Sequence, residues 1–244
     1  MTATLLAFDT STERLTVALQ TPAGVYLADE PGGALASATL LPRITAMLNA
    51  AGASAADLDA IAFGRGPGAF TGLRTSGAVA QGLAFGLGKP VLAIDSLLIV
   101  AEDAHAQWVS RLTTGINVDT PAAFDVAVAM DARMDQAYAA VYRWTLGRWQ
   151  VLAAPALFSL PALAADWQGR TPTCIAGSAL QAFGGRLVLP PALHLPAEPQ
   201  RAAALLRLAQ QAWLAGEAVD PAMALPLYVR DTVALTTAER EAAK

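Results

Sequence analysis

The chain has 244 residues, 55% of them hydrophobic and 15% charged, enough for one large domain or two smaller lobes with a buried core. Its apolar runs, such as Thr4 to Phe8 and Val91 to Ile94, fall far short of the roughly 20 residues needed to span a bilayer, which excludes a membrane protein. The net charge is −4, the two lysines are Lys89 and Lys244, and no stretch is rich in Lys or Arg, so a main nucleic-acid contact is not expected of this chain.

The single Cys174 rules out an internal disulfide or a cysteine-based metal cluster. Met1-Thr2-Ala3-Thr4 lacks the basic start of a secretory signal, and a cytoplasmic protein is expected.

In chain order, Leu5 to Phe8 is a continuous apolar strand, Asp9-Thr10-Ser11-Thr12 a turn, and Thr16 to Leu19 the resumed strand. A turn at Pro22 to Gly24 leads to a third strand at Val25 to Leu27. Residues 38–51 have helical spacing at Leu41, Ile44, Leu48 and Ala51, with Pro42 expected in the first turn. Ala60 to Phe63 is a buried strand that runs into Gly64-Arg65-Gly66-Pro67-Gly68. A helix over about 71–87, a strand at 91–94 and a helix over about 96–111 follow. The loop Thr113 to Pro121 is expected to separate two lobes. Beyond it come strands at 125–130, 137–144, 149–158, 173–176 and 186–189, a helix over about 199–215, and an extended piece at Pro226 to Arg230. The expected organisation is therefore an N-terminal lobe over 1–112, a C-terminal lobe over 113–230 and a loose polar tail over 231–244.

One internal echo supports two lobes. Leu5 to Asp9 followed by Thr16 to Leu19 resembles Ala127 to Asp131 followed by Tyr138 to Val141, at an offset of 122 residues, half the chain. Each apolar strand ends in Asp, and the next strand starts seven residues later. Mixed strands and helices in both halves point to α/β layers in each.

Three stretches could carry chemistry. The acid and hydroxyls of Asp9, Thr10, Ser11 and Thr12 suit the phosphates and Mg²⁺ of a nucleotide, and suit an ordinary turn equally well. Gly66, Pro67, Gly68, Thr71, Gly72 and Arg74 lie where a glycine-rich turn meets a helix N-terminus, a natural anion site. It is no Walker loop, since Gly-Lys-Ser/Thr is missing, and Thr71 serves equally as an N-cap. In the helix that follows, Ala78, Gly82 and Gly86 form a small-residue stripe beside Val79, Leu83 and Leu87. Gly77, Gly82 and Gly86 each cost a helix roughly 1 kcal/mol against alanine, and the close approach of a second helix would offset that. His105 and His194 lie far apart with no ligand pattern, so no metal site and no hydrolytic triad is expected; His105 reads as a surface or capping residue.

Leu6 to Glu13, Leu40-Leu41-Pro42, Gly64 to Arg74, Ala80 to Ala84, Asp131-Ala132-Arg133-Met134 and Pro226 to Arg230, taken together and in this order, resemble the bacterial TsaB (YeaZ) family of tRNA threonylcarbamoyladenosine biosynthesis proteins, across nearly the whole chain. The resemblance implies a two-lobed actin/Hsp70-like α/β fold with a duplicated core and no catalytic residues. It implies a catalytic paralogue of the TsaD type as partner, a TsaE-type ATPase in the same assembly, a homodimer when alone, and tRNA contacted only through the complex. It further implies no cofactor of the chain's own, with a nucleotide at the partner junction left open. Asp9 and Asp131, with the two phosphate-type turns, would then be vestigial, and replacing Asp9 would be mild. The partner or dimer surface falls on Leu40, Leu41, Ile44, Met47, Leu48, Thr75, Ala78, Val79, Gln81, Gly82, Phe85 and Gly86. Two positions depart from the family: Ser37-Ala38-Thr39 stands where a His is common, and Ala69 where Ser is usual. The competing readings are an active actin-like-fold ATPase or small-molecule kinase, which would need Asp9 and Asp131, and a glycoprotease-like peptidase, for which no nucleophile with a base is evident.

Overall fold

The computed structural model describes residues 2–113 and 123–230. The expected lobe boundary beyond Thr113 and the expected tail both lie outside the described residues.

The first half runs β1 (Leu5–Asp9), β2 (Arg14–Thr21), β3 (Gly24–Pro31), α1 (Ala36–Ala50), β4 (Ala60–Gly66), α2 (Phe70–Leu87), β5 (Val91–Asp95), α3 (Ser96–Thr113). The second runs β6 (Phe124–Asp131), β7 (Gln136–Thr145), β8 (Arg148–Ser159), α4 (Leu160–Trp167), β9 (Cys174–Ala176), α5 (Ala179–Phe183), β10 (Leu193–Leu195), α6 (Arg201–Leu214). Element types repeat in order, and so does the topology. The sheets are ordered β3-β2-β1-β4-β5 and β8-β7-β6-β9-β10. In each, the first two pairings of the meander are antiparallel and the last two strands join parallel. This is the duplicated actin/Hsp70-like α/β architecture, and the Asp9/Asp131 echo marks equivalent strand ends.

β1 is buried along its whole length because helices cover both faces of its sheet, which is why it reads as an unbroken apolar run. Leu6, Phe8, Val17, Leu19, Ile61 and Phe63 meet α1 and α2 through Leu40, Ile44, Met47, Ala80 and Ala84. The other face is floored by small residues, Ala7, Ala18, Ala60 and Ala62, and receives Leu205, Leu206 and Ala209 of α6. α3 instead sends Val100, Ala101, Ala104 and Trp108 into the second sheet, against Phe124, Val126, Val128 and Tyr142. Each half thus roofs the other with its last helix, and α3 and α6 pack together between the sheets. The chain therefore re-enters the first lobe after residue 200, so a simple division at 112/113 does not describe the packing. Beyond α6, Val219 exchanges two backbone hydrogen bonds of 2.9 Å with Val91.

Other local expectations also change. Pro42 sits inside α1, six residues after its start, on an exposed side of the helix where the freed carbonyl is open to solvent. Residues 186–189 are not a strand; a 3-10 turn covers Gly184–Arg186, and the edge strand forms later, where Leu193 to Leu195 pair with β9. His105 is half-buried, not a surface residue. Its ring lies 4.9 Å from that of Trp144 and 5.2 Å from that of Phe124, with Trp108 and Trp149 completing the cage. Burial pushes its pKa below the ordinary histidine value; Glu102 opposes the shift and Arg207 adds to it. As pH falls, the unfolded chain takes up this proton before the folded one. The stability margin from neutral His105 is full above pH ~6.5 and shrinks as pH drops through and below it. The melting temperature should therefore fall more steeply below that pH in the parent protein than in His105→Phe, as read by thermal denaturation across a pH series.

Candidate functional site

The end of β1 and the start of α2 press against each other. Asp9 and Thr10 are both 1% exposed, beneath the surface of the cleft between the lobes. Thr10 Oγ1 donates to the Gly72 carbonyl at 2.7 Å, Thr10 N donates to Ser76 Oγ at 3.1 Å, and Ala69 N donates to the Ser11 carbonyl at 2.7 Å. A Cβ at Gly68 would collide with the Ser11 backbone, and one at Gly72 with the Thr10 carbonyl. Those two glycines are needed for this backbone-to-backbone approach. The N-cap of α2 is Ala69, with no side-chain cap, so Thr71 is not the cap; it is exposed.

Asp9 is fully paired. Its Oδ2 accepts from Arg201 Nη2 at 2.9 Å, its Oδ1 accepts from the Ser11 amide, and Arg201 also bonds Glu198. Arg201 is 1% exposed. Burial opposes its charge, but Glu198 and Asp9 outweigh that and hold the guanidinium ionised. Removing Asp9 would strand a buried cation with one partner, which costs about 3–5 kcal/mol, so its replacement is not mild. Sequence reading missed Arg201. The signal was its place at the head of the stripe that continues through Leu205 and Leu208: an arginine on a buried stripe requires carboxylates.

Above this layer lies a cleft of about 510 Å³. Ser11, Thr12, Pro67, Gly68 and Asp131 line it together; Gly66 and Gly72 are buried and do not line it, and Thr71 and Arg74 are exposed outside it. The two equivalent turns meet across it, where Arg133 Nη2 donates to Glu13 Oε1 at 2.8 Å, while the Arg133 amide donates to Asp131 Oδ1 at 2.8 Å. Residues 225–230 cross the cleft wall. Leu227 N donates to the Arg65 carbonyl at 2.7 Å, Tyr228 stacks near Phe70 with centroids 5.3 Å apart, and Arg230 Nη2 donates to the Ala132 carbonyl at 2.9 Å. A Mg²⁺-nucleotide, which this architecture suggests, does not fit these residues: the strand-end carboxylate already carries a guanidinium, and the glycine-rich backbone is packed on the turn. Among the described residues, no group of three or more His, Cys, Asp or Glu could hold a metal ion.

The second candidate surface is the outer side of α1 and α2. Leu40, Ile44, Met47 and Leu48 do not belong to it; they are buried in the chain's own core, because that is the α1 stripe facing the sheet. Val79 is partly buried against the same core, Thr75 Oγ1 is turned back to the Thr71 carbonyl, and Gln81 Nε2 donates to the Pro221 carbonyl at 3.3 Å. Leu41, Ala78, Gly82, Phe85 and Gly86 remain exposed, with Leu35 beside them, unforeseen from sequence. Gly77 approaches the Ala224 carbonyl and Pro226, so its lack of a side chain serves this chain, whereas a Cβ at Gly82 or Gly86 would meet nothing within 4 Å.

Comparison with known proteins follows the same lines. The family model described as TsaD, tRNA N6-adenosine threonylcarbamoyltransferase, matches residues 35–183. The tRNA threonylcarbamoyladenosine biosynthesis protein TsaB of Escherichia coli K12 is 30% identical over 244 aligned positions, covering 94% of this chain and 96% of that protein. The TsaB of Haemophilus influenzae is 38% identical over 135 positions, 55% of this chain and 52% of the relative. The solved structure of YeaZ from Pseudomonas aeruginosa superposes with a TM-score of 0.78 at 38% identity, covering 93% of this chain and 100% of that one. A second Pseudomonas aeruginosa structure, described as similar to peptidase YEAZ, gives 0.79 at 38% identity, over 94% and 100%. The match to TsaB over 94% of this chain and 96% of that protein, with the TsaD model covering residues 35–183, places this chain in the TsaB (YeaZ) family of TsaD-related proteins.

Proposed function

We propose that the chain serves formation of threonylcarbamoyladenosine in tRNA as a non-catalytic subunit, docking through the exposed side of α1 and α2 onto a catalytic relative of the TsaD type. The observation that carries this reading is the pair Gly82 and Gly86. Both cost the helix stability and neither is needed for packing within the chain, while Phe85 on the same helix and Leu41 on α1 are exposed. A helix of a partner can approach such a face closely enough to bury the aliphatic and aromatic side chains. The same face would pair two copies when the partner is absent, and an ATPase of the TsaE type would join the assembled pair. Phosphate contacts to tRNA would come from the partner, since this chain is acidic overall.

The test is reconstitution from purified components. Threonylcarbamoyl transfer to tRNA should require both this chain and the catalytic relative, and this chain alone should transfer nothing and turn over no ATP. Transfer or ATP turnover by the isolated chain would refute the reading.

A further inference from the structure

The cleft has the outward form of a nucleotide site: a strand-end carboxylate, a hydroxyl-bearing turn and a glycine-rich helix start. Buried as deeply as Asp9, however, is a cation from within the chain. Arg201 enters at the first residue of α6, and its Nη2 lies 2.9 Å from Asp9 Oδ2 and 3.4 Å from Ser11 Oγ, while Nη1 bonds Glu198. Its Nε has no partner. Two carboxylates and a hydroxyl around one positive centre form the donor set that a hard divalent cation takes in water-poor surroundings.

We propose that Arg201 is a built-in counter-cation, holding from within the chain the place beside Asp9 and Glu198 that a divalent cation would otherwise fill. The consequence is a cleft whose two carboxylates, Asp9 and Glu198, are permanently bridged by a cation of the chain's own. Turn, glycine-rich loop and α6 are fixed together without any bound ligand, and Mg²⁺ has no free carboxylate to compete for. α6 belongs by sequence to the second half and packs on the first, so the same ion group also ties the exchanged helix in place. The inference concerns this chain's own residues and stands whether or not the docking reading under Proposed function holds.

Thermal denaturation with and without millimolar Mg²⁺ or Ca²⁺ tests it. The parent protein should show no shift with either cation, alone or with ADP. Arg201→Ala should melt roughly 10 °C lower, the cost of two facing buried carboxylates left without a cation. Millimolar divalent cation should then return several degrees of that loss. In Asp9→Asn with Arg201→Ala the response should vanish, because one of the two carboxylates is gone. If Arg201→Ala does not fold, the pair Arg201→Lys and Arg201→Met decides, with the lysine form expected to melt clearly higher. A cation-dependent shift of the parent protein, an Arg201→Ala that folds and ignores divalent cations, or a methionine form as stable as the lysine form would each overturn the proposal.

Discussion

Gly82→Trp should abolish the complex with the catalytic partner while leaving the monomer folded. The position points away from the chain's own core, and an added Cβ meets nothing within 4 Å, so the fold has no reason to resist the change. A docked helix, by contrast, would find an indole where it needs bare backbone. Affinity should drop by about a hundredfold or more, as when a central interface contact is replaced by a clash. Gly82→Ala is the companion variant. It should raise the stability of the isolated chain by up to about 1 kcal/mol through helix propensity, and weaken the complex less than the tryptophan does. Titration calorimetry with the partner, alongside thermal denaturation of each variant, separates the two effects. Full affinity in Gly82→Trp would mean that the partner docks elsewhere.

Gly72→Ala should have the opposite profile, a chain that fails to fold although the substitution is the smallest available. The new methyl group would fall on the Thr10 carbonyl, which is backbone and cannot swing aside. Thr10 is also held by Gly72 and Ser76, so relief would have to separate β1 from α2. A loss of at least ~4 kcal/mol is expected, comparable with the whole margin of an ordinary domain. Denaturant unfolding, or the soluble yield where the variant does not survive purification, measures it. Gly72 and Gly82, ten apart on α2, thus differ: the chain's own packing requires the first, and only the proposed docking gives a reason for the second.

Much of the fold was legible because central strands covered on both faces write themselves as unbroken apolar runs, as in Leu5 to Phe8 and Ala60 to Phe63. The duplication was legible because an Asp closes the first strand of each sheet. The three-residue strands β9 and β10 carry too little pattern to fix their register, and so the last strand was sought at 186–189 instead of Leu193–Leu195. On α1, helical spacing picked out Leu41, Ile44, Leu48 and Ala51, and the family resemblance put Leu40, Leu41, Ile44, Met47 and Leu48 on a partner surface, but periodicity does not say whether a stripe faces the sheet or a partner. Only the placement of the sheet assigned Leu40, Ile44, Met47 and Leu48 inward and left Leu41 outside. The pairing of Asp9 with Arg201 joins residues 192 apart and depends on α6 crossing to the other lobe, which no local signal specifies.

That crossing has a mechanical consequence. Because α3 packs mainly on the second sheet and α6 on the first, the two sheets are joined through the contact of these two helices. Any widening of the gap between the sheets would have to disturb the packing of α3 on α6. Opening the cleft therefore carries a cost in buried helix contact, which favours a closed outline for the surface that would meet a neighbour.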